Sequence, residues 1–119
     1  MALNEAVLGS AILSLVLVTS CYYNMPVIIA YDADKNQRNI RERGLSFERA
    51  ADFDFNTALV DEDVRRNYPE RRFVAIGWLS GRVHVLCFTP ISGGIRVISF
   101  RKANSREVTS YERATAADQ

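Results

Sequence analysis

Histidine and cysteine are scarce in this sequence, and their scarcity excludes several kinds of site. The 119 residues contain one histidine, His84, and two cysteines, Cys21 and Cys87. A structural zinc site needs a clustered set of Cys and His ligands, and a disulfide scaffold needs several cysteines at short spacings. Gly-rich phosphate loops and nucleophile motifs are also missing. We therefore expect no metal site and no cofactor.

A strong excess of positive charge is missing too. The formal net charge is +1, which is not the balance of a protein that binds nucleic acid through charge alone. The charges are unevenly spread, however, because five bases and two acids lie between Ile95 and Arg113. One basic face would attract RNA or an acidic segment of a partner protein. A mixed surface without such a role is the alternative.

The first 24 residues contain no Lys or Arg. Their apolar run, Ala6 to Val18, has the length of a signal-peptide core and is short for a membrane span. The run that ends at Cys21 resembles a lipoprotein cleavage site, but Glu5 is unlike a signal-peptide start. We interpret residues 1–24 as an apolar extension from a wrongly assigned start, with a leader or an extra packed helix as alternatives. Residues 25–114 then form the domain and 115–119 a frayed tail, with no membrane expected for the mature domain.

The remaining pattern predicts an α+β fold. Tight turns between consecutive strands favour an antiparallel sheet, here of four to five strands with two N-terminal helices and one C-terminal helix gathered on one side. Asp32 and Ser46 are the expected N-caps of the first two helices, and Gly44 ends the first. The strand patterns cover residues 26–31, 57–60, 71–79, 82–89 and 95–101, and the helix patterns cover 34–43, a segment after Ser46, and 104–113.

A two-residue turn at Ser80-Gly81 predicts a β-hairpin. A turn this short places Trp78 opposite Val83 and Gly77 opposite His84. The hairpin then has two faces. One carries Val74, Ile76, Trp78, Val83, Val85 and Cys87, and the other carries Phe73, Ala75, Leu79, Arg82, His84, Leu86 and Phe88.

The stretch from residue 95 to 112 passes from a strand into a helix. Alternation predicts Ile95, Val97 and Ser99 on one face, and Arg96, Ile98 and Phe100 on the other. Asn104 and Glu107 have the spacing of a capping box. Arg101-Lys102 lies between the two elements, and Arg106 lies in the first helical turn. Cationic side chains beside a helix N-terminus favour anion binding, although a solvated basic helix start is the alternative.

These residue types suit phosphodiester chemistry. Arginine and lysine bind phosphate and stabilise the charge that develops in the transition state. RNA supplies its own nucleophile, the 2′-OH, so a small basic site can cleave it without a metal. His84 is the candidate general acid or base, with a purely structural role as the alternative. Trp78, Phe100 and Tyr111 either stack a base or belong to the core.

The sequence resembles the BrnT toxin family. That family opens with aromatic-Asp-x-x-Lys, then Asn, then His-Gly-hydrophobic-x-Phe-Glu. The matching segments are YDADK at 31–35, Asn39, RGLSFE at 43–48 with Ala50, RRFVAIG at 71–77, and RVISFRKA at 96–103 with Arg106-Glu107 and Tyr111-Glu112. The resemblance covers residues 27–113.

The resemblance implies a RelE-like fold and a cytoplasmic type II toxin, a metal-independent ribonuclease that cleaves RNA and inhibits translation. It also implies a BrnA-type antitoxin, a small DNA-binding partner that neutralises the toxin. Contact with DNA is then indirect, through a complex that represses its own promoter. The candidate catalytic residues are Arg101, Arg106, Lys35, His84 and Tyr111. The candidate substrate-binding residues are Lys102, Arg82, Arg43 and Arg38.

One departure bears on activity. The family commonly has His before the glycine, where this chain has Arg43. Arginine can hold a phosphate but does not exchange protons near neutral pH. The alternatives to a ribonuclease are a non-catalytic binding module, a decayed toxin that docks an acidic partner, and an exported lipoprotein anchored through Cys21.

Overall fold

The computed structural model describes residues 27–117, which form a mixed α+β fold with one five-stranded sheet. The interpretations of residues 1–24, including the Cys21 anchor, lie outside the described residues. The strands are β1 (Ile28–Ala30), β2 (Leu59–Glu62), β3 (Phe73–Leu79), β4 (Arg82–Ile91) and β5 (Gly94–Lys102). The helices are α1 (Ala33–Arg43), a 3-10 helix (Phe47–Asp52) and α2 (Ser105–Ala117).

The sheet order is β1-β5-β4-β3-β2. Strands β2 to β5 are antiparallel, as predicted, but β1 pairs with β5 in parallel, with Ile28 opposite Gly94. The expectation of a purely antiparallel sheet is therefore wrong for one strand. The reason is connectivity, because no tight turn joins β1 to β5: the chain leaves β1 through α1 and reaches β5 only after β2, β3 and β4.

Helix α1 has both ends where the sequence predicts them. The Asp32 carboxylate accepts from the backbone N–H groups of Asp34 and Lys35, at 2.9 and 3.2 Å. At the other end Gly44 adopts the left-handed conformation, with φ of 66°, and its N–H donates to the carbonyl of Ile40. A residue with a side chain is disfavoured in that conformation, so glycine ends the helix.

The second predicted helix is a 3-10 helix of six residues, so only one of the two N-terminal helices is an α-helix. Ser46 caps it as expected, with its Oγ accepting from the N–H of Glu48. Its buried side chains, Phe47 and Ala50, are followed by the buried Phe53. This spacing of three residues matches the 3-10 repeat and places all three side chains against the sheet.

The hairpin of β3 and β4 has the predicted register. Ser80 and Gly81 both have positive φ, at 51° and 79°, as a type I′ turn requires. Trp78 lies opposite Val83, and Gly77 lies opposite His84.

The two faces of the hairpin contribute side chains to two different hydrophobic cores. One core contains Phe73, Leu86 and Phe88 under the 3-10 helix, whereas the other contains Val83 and Val85. Helix α2 supplies Tyr111 to this second core. The helices therefore cover opposite faces of the sheet, and the expectation that they gather on one side is wrong.

Strand β5 contains an irregularity that overturns the simple alternation predicted for it. Cys87 lies opposite Ser99, but the next residue of β4, Phe88, lies opposite Val97, so Ile98 is an extra residue. A β-bulge of this kind shifts the phase of the strand. Phe100 consequently enters the same core as Ile95 and Val97, and was wrongly expected on the other face.

Helix α2 begins with a reciprocal capping box, as predicted. The N–H of Glu107 donates to Oδ1 of Asn104, and the N–H of Asn104 donates to Oε1 of Glu107, both at 2.8 Å. The helix continues to Ala117, beyond the predicted end at residue 113. Among residues 27–117, no helix is long and apolar enough to cross a membrane.

Gly94→Ala should destabilise the pairing of β1 with β5. A Cβ at this position would lie 1.9 Å from the carbonyl oxygen of Ile28, so the backbone must move. Overpacking of this kind costs about 1–3 kcal/mol, which corresponds to a melting temperature lower by roughly 4–8 °C per kcal/mol. Thermal denaturation followed by circular dichroism measures the change. The exposed Ser92→Ala in the same turn is the control, and equal melting temperatures for both variants would contradict the parallel pairing.

Candidate functional site

A groove of about 640 Å³ opens at the end of the sheet where the β3–β4 hairpin turns and β5 finishes. Of the residues that the structure describes, five cationic side chains line it: Arg43, Arg49, Arg82, Arg101 and Lys102. His84 and one acid, Glu42, complete the charged and titratable part of this described lining. We call this site the basic groove. Such a concentration of positive charge favours an anionic ligand.

The antiparallel register brings three of these residues to one face. His84 lies directly opposite Lys102, and Arg82 lies two residues before His84 in the same strand. Residues two apart in a strand point to the same face, and directly opposite residues are close neighbours. The sheet itself therefore assembles Arg82, His84 and Lys102.

Helix α1 supplies Arg43 through a buried asparagine. The Asn39 side-chain NH₂ donates to the carbonyls of Leu45 and Phe100, both at 2.9 Å, and its Oδ1 accepts from Nη1 of Arg43 at 2.9 Å. Asn39 is 6% exposed, so its amide has few alternative partners. These bonds join the C-terminal end of α1 to the end of β5 and hold Arg43 at the groove.

Arg49 lines the groove although no sequence motif selects it. Its Nη2 donates to Oγ of Ser80 at 2.7 Å, and its Nε lies 3.5 Å from a carboxylate oxygen of Asp52. The 3-10 helix and the hairpin tip are distant in sequence, so no local pattern predicts that they meet.

His84 is held in one tautomer and kept neutral. Its Nδ1 lies 2.8 Å from the backbone carbonyl of Arg82. A carbonyl only accepts, so Nδ1 carries the proton and Nε2 is the basic nitrogen of the neutral ring. Burial lowers the pKa of His84 below its ordinary value, and the positive charges of Lys102, Arg82 and Arg49 lower it further. The groove thus holds an imidazole that is neutral at neutral pH, with Nε2 as its basic nitrogen.

Arg101 is already paired within the chain. Its Nη1 and Nη2 donate to the two carboxylate oxygens of Glu107 at 2.9 and 2.8 Å. The guanidinium lowers the pKa of Glu107 to about 2, so Glu107 is ionised at neutral pH. Arg101 lies at the rim of the groove, with its guanidinium turned to α2.

Two other predicted residues lie next to the groove. Lys35 and Arg38 line a smaller pocket of about 150 Å³ between α1 and β5. That pocket shares Glu42 and Arg43 with the basic groove, so the two are adjacent.

The last two predicted catalytic residues do not line the groove. Arg106 is exposed on the first turn of α2. Tyr111 is 3% exposed in the core beneath α2, and its hydroxyl donates to the carbonyl of Thr57 at 2.8 Å. Trp78 packs edge-on against Tyr111, and Phe100 is fully buried. The three aromatic side chains considered for base stacking are therefore not in the groove.

The donor set of the described residues does not suit a metal. Within residues 27–117 no group of three or more His, Cys, Asp and Glu side chains is placed to hold a metal ion. In the groove itself, His84 and Glu42 stand among five cations.

Comparison with known families identifies the chain. A family profile described as the ribonuclease toxin BrnT of type II toxin-antitoxin systems matches residues 31–107. The match covers more than half of the chain and includes all the groove residues. The chain belongs to the BrnT family. This BrnT chain is thus a member of a family of ribonuclease toxins, for which RNA is the substrate and an antitoxin the partner. No curated protein matches its sequence significantly.

Asn39→Ala should destabilise this BrnT chain and release Arg43. The change leaves the buried carbonyls of Leu45 and Phe100 without these donors, and each such loss costs about 1–3 kcal/mol. Urea denaturation of the full chain should show a free energy of unfolding lower by about 2–6 kcal/mol, the sum of the two losses. Gln37→Ala, an exposed change on the same helix, is the control. Equal decreases in the free energy of unfolding in the two variants would show that Asn39 does not hold α1 in place.

His84→Gln should weaken the dependence of stability on pH. The unfolded chain protonates His84 near the ordinary pKa of 6.5, but the folded chain does so only at lower pH. The unfolded state therefore binds more protons between these values, and the wild-type free energy of unfolding rises with pH through that window. The contribution of His84 to the free energy of unfolding is complete above pH 6.5. It is lost as the pH falls through the pKa that His84 has in the folded chain.

Urea denaturation of both proteins between about pH 4.5 and 8 measures this effect. The wild-type slope should exceed the His84→Gln slope by at most about 1.4 kcal/mol per pH unit, the limit for one proton. Parallel slopes would contradict a lowered pKa for His84.

Proposed function

We propose that this chain is a toxin that inhibits translation by cleaving RNA in the basic groove without a metal. The observation that carries the proposal is a neutral His84 surrounded by Arg43, Arg82 and Lys102 in a member of a ribonuclease toxin family. The groove provides a base and positive charge, and RNA provides the nucleophile.

The reaction is an attack by the ribose 2′-oxygen on the neighbouring phosphorus. Nε2 of His84 takes the proton of the 2′-OH as the bond from the 2′-oxygen to phosphorus forms. The bond from phosphorus to the 5′-oxygen breaks, and the Lys102 ammonium, opposite His84, gives a proton to the leaving oxygen. The products are a 2′,3′-cyclic phosphate and a 5′-hydroxyl, so atoms and charges balance.

The arginines act on the charge that builds on the phosphoryl oxygens. Arg43 is fixed by Asn39, and Arg49 by Ser80, so both guanidinium groups are held before substrate binds. Preorganised charges stabilise a transition state without reorganisation at the moment of reaction. Arg101 contributes at the rim, and phosphate binding there competes with Glu107. Lys35 and Arg106 contact the substrate outside the reacting phosphate, and Tyr111 acts through packing.

Metal independence follows from the groove's charge. Five cations around one carboxylate repel a divalent ion and supply the charge that a metal would bring. The same reasoning supports neutralisation by an antitoxin of the BrnA type, since an acidic segment laid in the groove would exclude RNA. DNA is then contacted only through the antitoxin, and the toxin acts in the cytoplasm. We also propose that the fold of this chain is RelE-like.

A non-catalytic binding module is the second candidate, and two observations favour it. Arg43 replaces the histidine common in the family, and Arg101 is engaged by Glu107. In that case the basic groove only docks an acidic partner, and the chain is a decayed toxin.

The test is cleavage of a single-stranded RNA by the purified full chain in EDTA. Wild type should cleave it and leave 2′,3′-cyclic phosphate ends. His84→Gln should lower the rate about 10²–10⁴-fold, and Arg82→Ala about 10²-fold. Arg101→Ala and Arg106→Ala should have smaller effects. Arg113→Ala, an exposed change of the same charge on α2, is the control and should leave the rate unchanged.

Two results would overturn the proposal. Equal rates in wild type, His84→Gln and Arg82→Ala would show that cleavage does not occur in the groove. An inactive wild type together with an active Arg43→His variant would show that this copy is a decayed toxin.

A further inference from the structure

The smaller pocket beside the basic groove has no role in the cleavage step. It lies between α1 and β5, and its lining includes Lys35, Arg38, Phe47, Ile98 and Ser99. We call it the α1 pocket. It shares Arg43 and Glu42 with the basic groove, whereas Lys35 and Arg38 line this pocket alone. Lys35 and Arg38 lie three residues apart on α1, so they project from the same side of the helix.

Lys35 and Arg38 are available to a ligand. Several other arginines of the described residues, including Arg65 and Arg101, form bidentate pairs with carboxylates. Within residues 27–117, no hydrogen bond or ion pair engages the side chain of Lys35 or Arg38, and both residues are exposed. Two unpaired cations beside a small concave surface favour an anion the size of a phosphate.

Among residues 27–117, the lining of the pocket offers no surface on which a base could stack. The one aromatic residue of this described lining, Phe47, is 2% exposed and belongs to the core. The rest of the lining is polar or, at Ile98, part of the bulged segment of β5. A ligand is therefore held by its charge and not by its base, which makes the binding independent of sequence.

The spacing along α1 sets the distance to the reacting phosphate. Arg38 and Lys35 precede Arg43 by five and eight residues, or about 7.5 and 12 Å along the helix at 1.5 Å per residue. The phosphates of one strand of a duplex are about 3.4 Å apart along the helix axis, and we apply this spacing to the bound strand. The α1 pocket is thus about two to four nucleotides from the phosphate held at Arg43.

We infer that Lys35 and Arg38 form a subsite for a second backbone phosphate of the bound RNA, two to four nucleotides along the strand from the cleaved phosphate. The inference rests on the proposed function and adds a length requirement to it. RNA substrates must reach from the groove to the α1 pocket, so strands of about five nucleotides or more bind well and dinucleotides bind poorly.

The test uses 2′-O-methyl oligonucleotides, which bind without being cut because the nucleophile is blocked. Fluorescence anisotropy with the full chain measures the Kd of a dinucleotide and of a hexanucleotide. The wild type should bind the hexanucleotide more than about tenfold more tightly. Lys35→Ala and Arg38→Ala should each weaken hexanucleotide binding about three- to tenfold and leave dinucleotide binding unchanged.

Salt dependence gives a second readout. Each lost phosphate contact lowers the slope of log K against log salt concentration by about 0.7 for a single strand. That decrease should appear for the hexanucleotide in Lys35→Ala and Arg38→Ala. Arg41→Ala removes the same charge from the same helix but lines neither pocket, so it is the matched control and should keep the wild-type slope.

The outcomes separate this inference from the proposed function. Equal affinity for both lengths, or the same effect from Arg41→Ala as from Arg38→Ala, would overturn the subsite even if the groove cleaves RNA. Length-dependent binding that Lys35→Ala and Arg38→Ala abolish would support the subsite even if the chain cuts no RNA. Unchanged RNA binding with weakened binding of an acidic peptide in Arg38→Ala would assign the pocket to a protein partner and overturn it.

Discussion

The hydrogen bonds of the Asn39 side-chain amide are the interactions on which the architecture of this site depends. Helix α1 buries only two residues, Asn36 and Asn39, so apolar packing does not fix its position. Asn36 accepts the N–H of Phe47 at 2.7 Å, and Asn39 bonds to Leu45, Phe100 and Arg43. Burying an amide costs free energy unless its hydrogen-bond partners are present. Because hydrogen bonds are directional, the helix has to take the one position in which Asn39 makes them. The basic groove and the α1 pocket both lie against that helix, so their positions depend on the position of α1.

A second constraint is the balance of charge at the end of the sheet. Glu107 caps α2 and also forms a bidentate pair with Arg101, which neutralises one of the groove's cations. His84 stays neutral among the remaining cations because burial and their repulsion act in the same direction on its pKa. The charges that make the groove attractive to an anion thus also lower the pKa of His84.

Local signals in the sequence predicted much of this structure. The caps at Asp32, Gly44 and Asn104 and the Ser80-Gly81 register are decided by residues a few positions apart, and all of them are confirmed. Of the nine candidate site residues, five line the groove and two line the pocket beside it. The parallel β1–β5 pair, the role of Arg49 and the burial of Tyr111 depend on contacts between distant segments, which no local pattern encodes.

The bulge at Ile98 makes the site depend on the length of β5 as much as on its composition. With strict alternation, the residues at 99 and 101 would follow Ile95 and Val97 into the core, and Phe100 would point away from it. The extra residue exchanges these directions, so that Phe100 fills the core, Arg101 meets α2 and Lys102 reaches the groove. Without the bulge, the same residues would put the Arg101 guanidinium in the place of the Phe100 ring. The bulge, and not the alternation of the sequence, therefore decides which side chains of β5 reach the core, α2 and the groove.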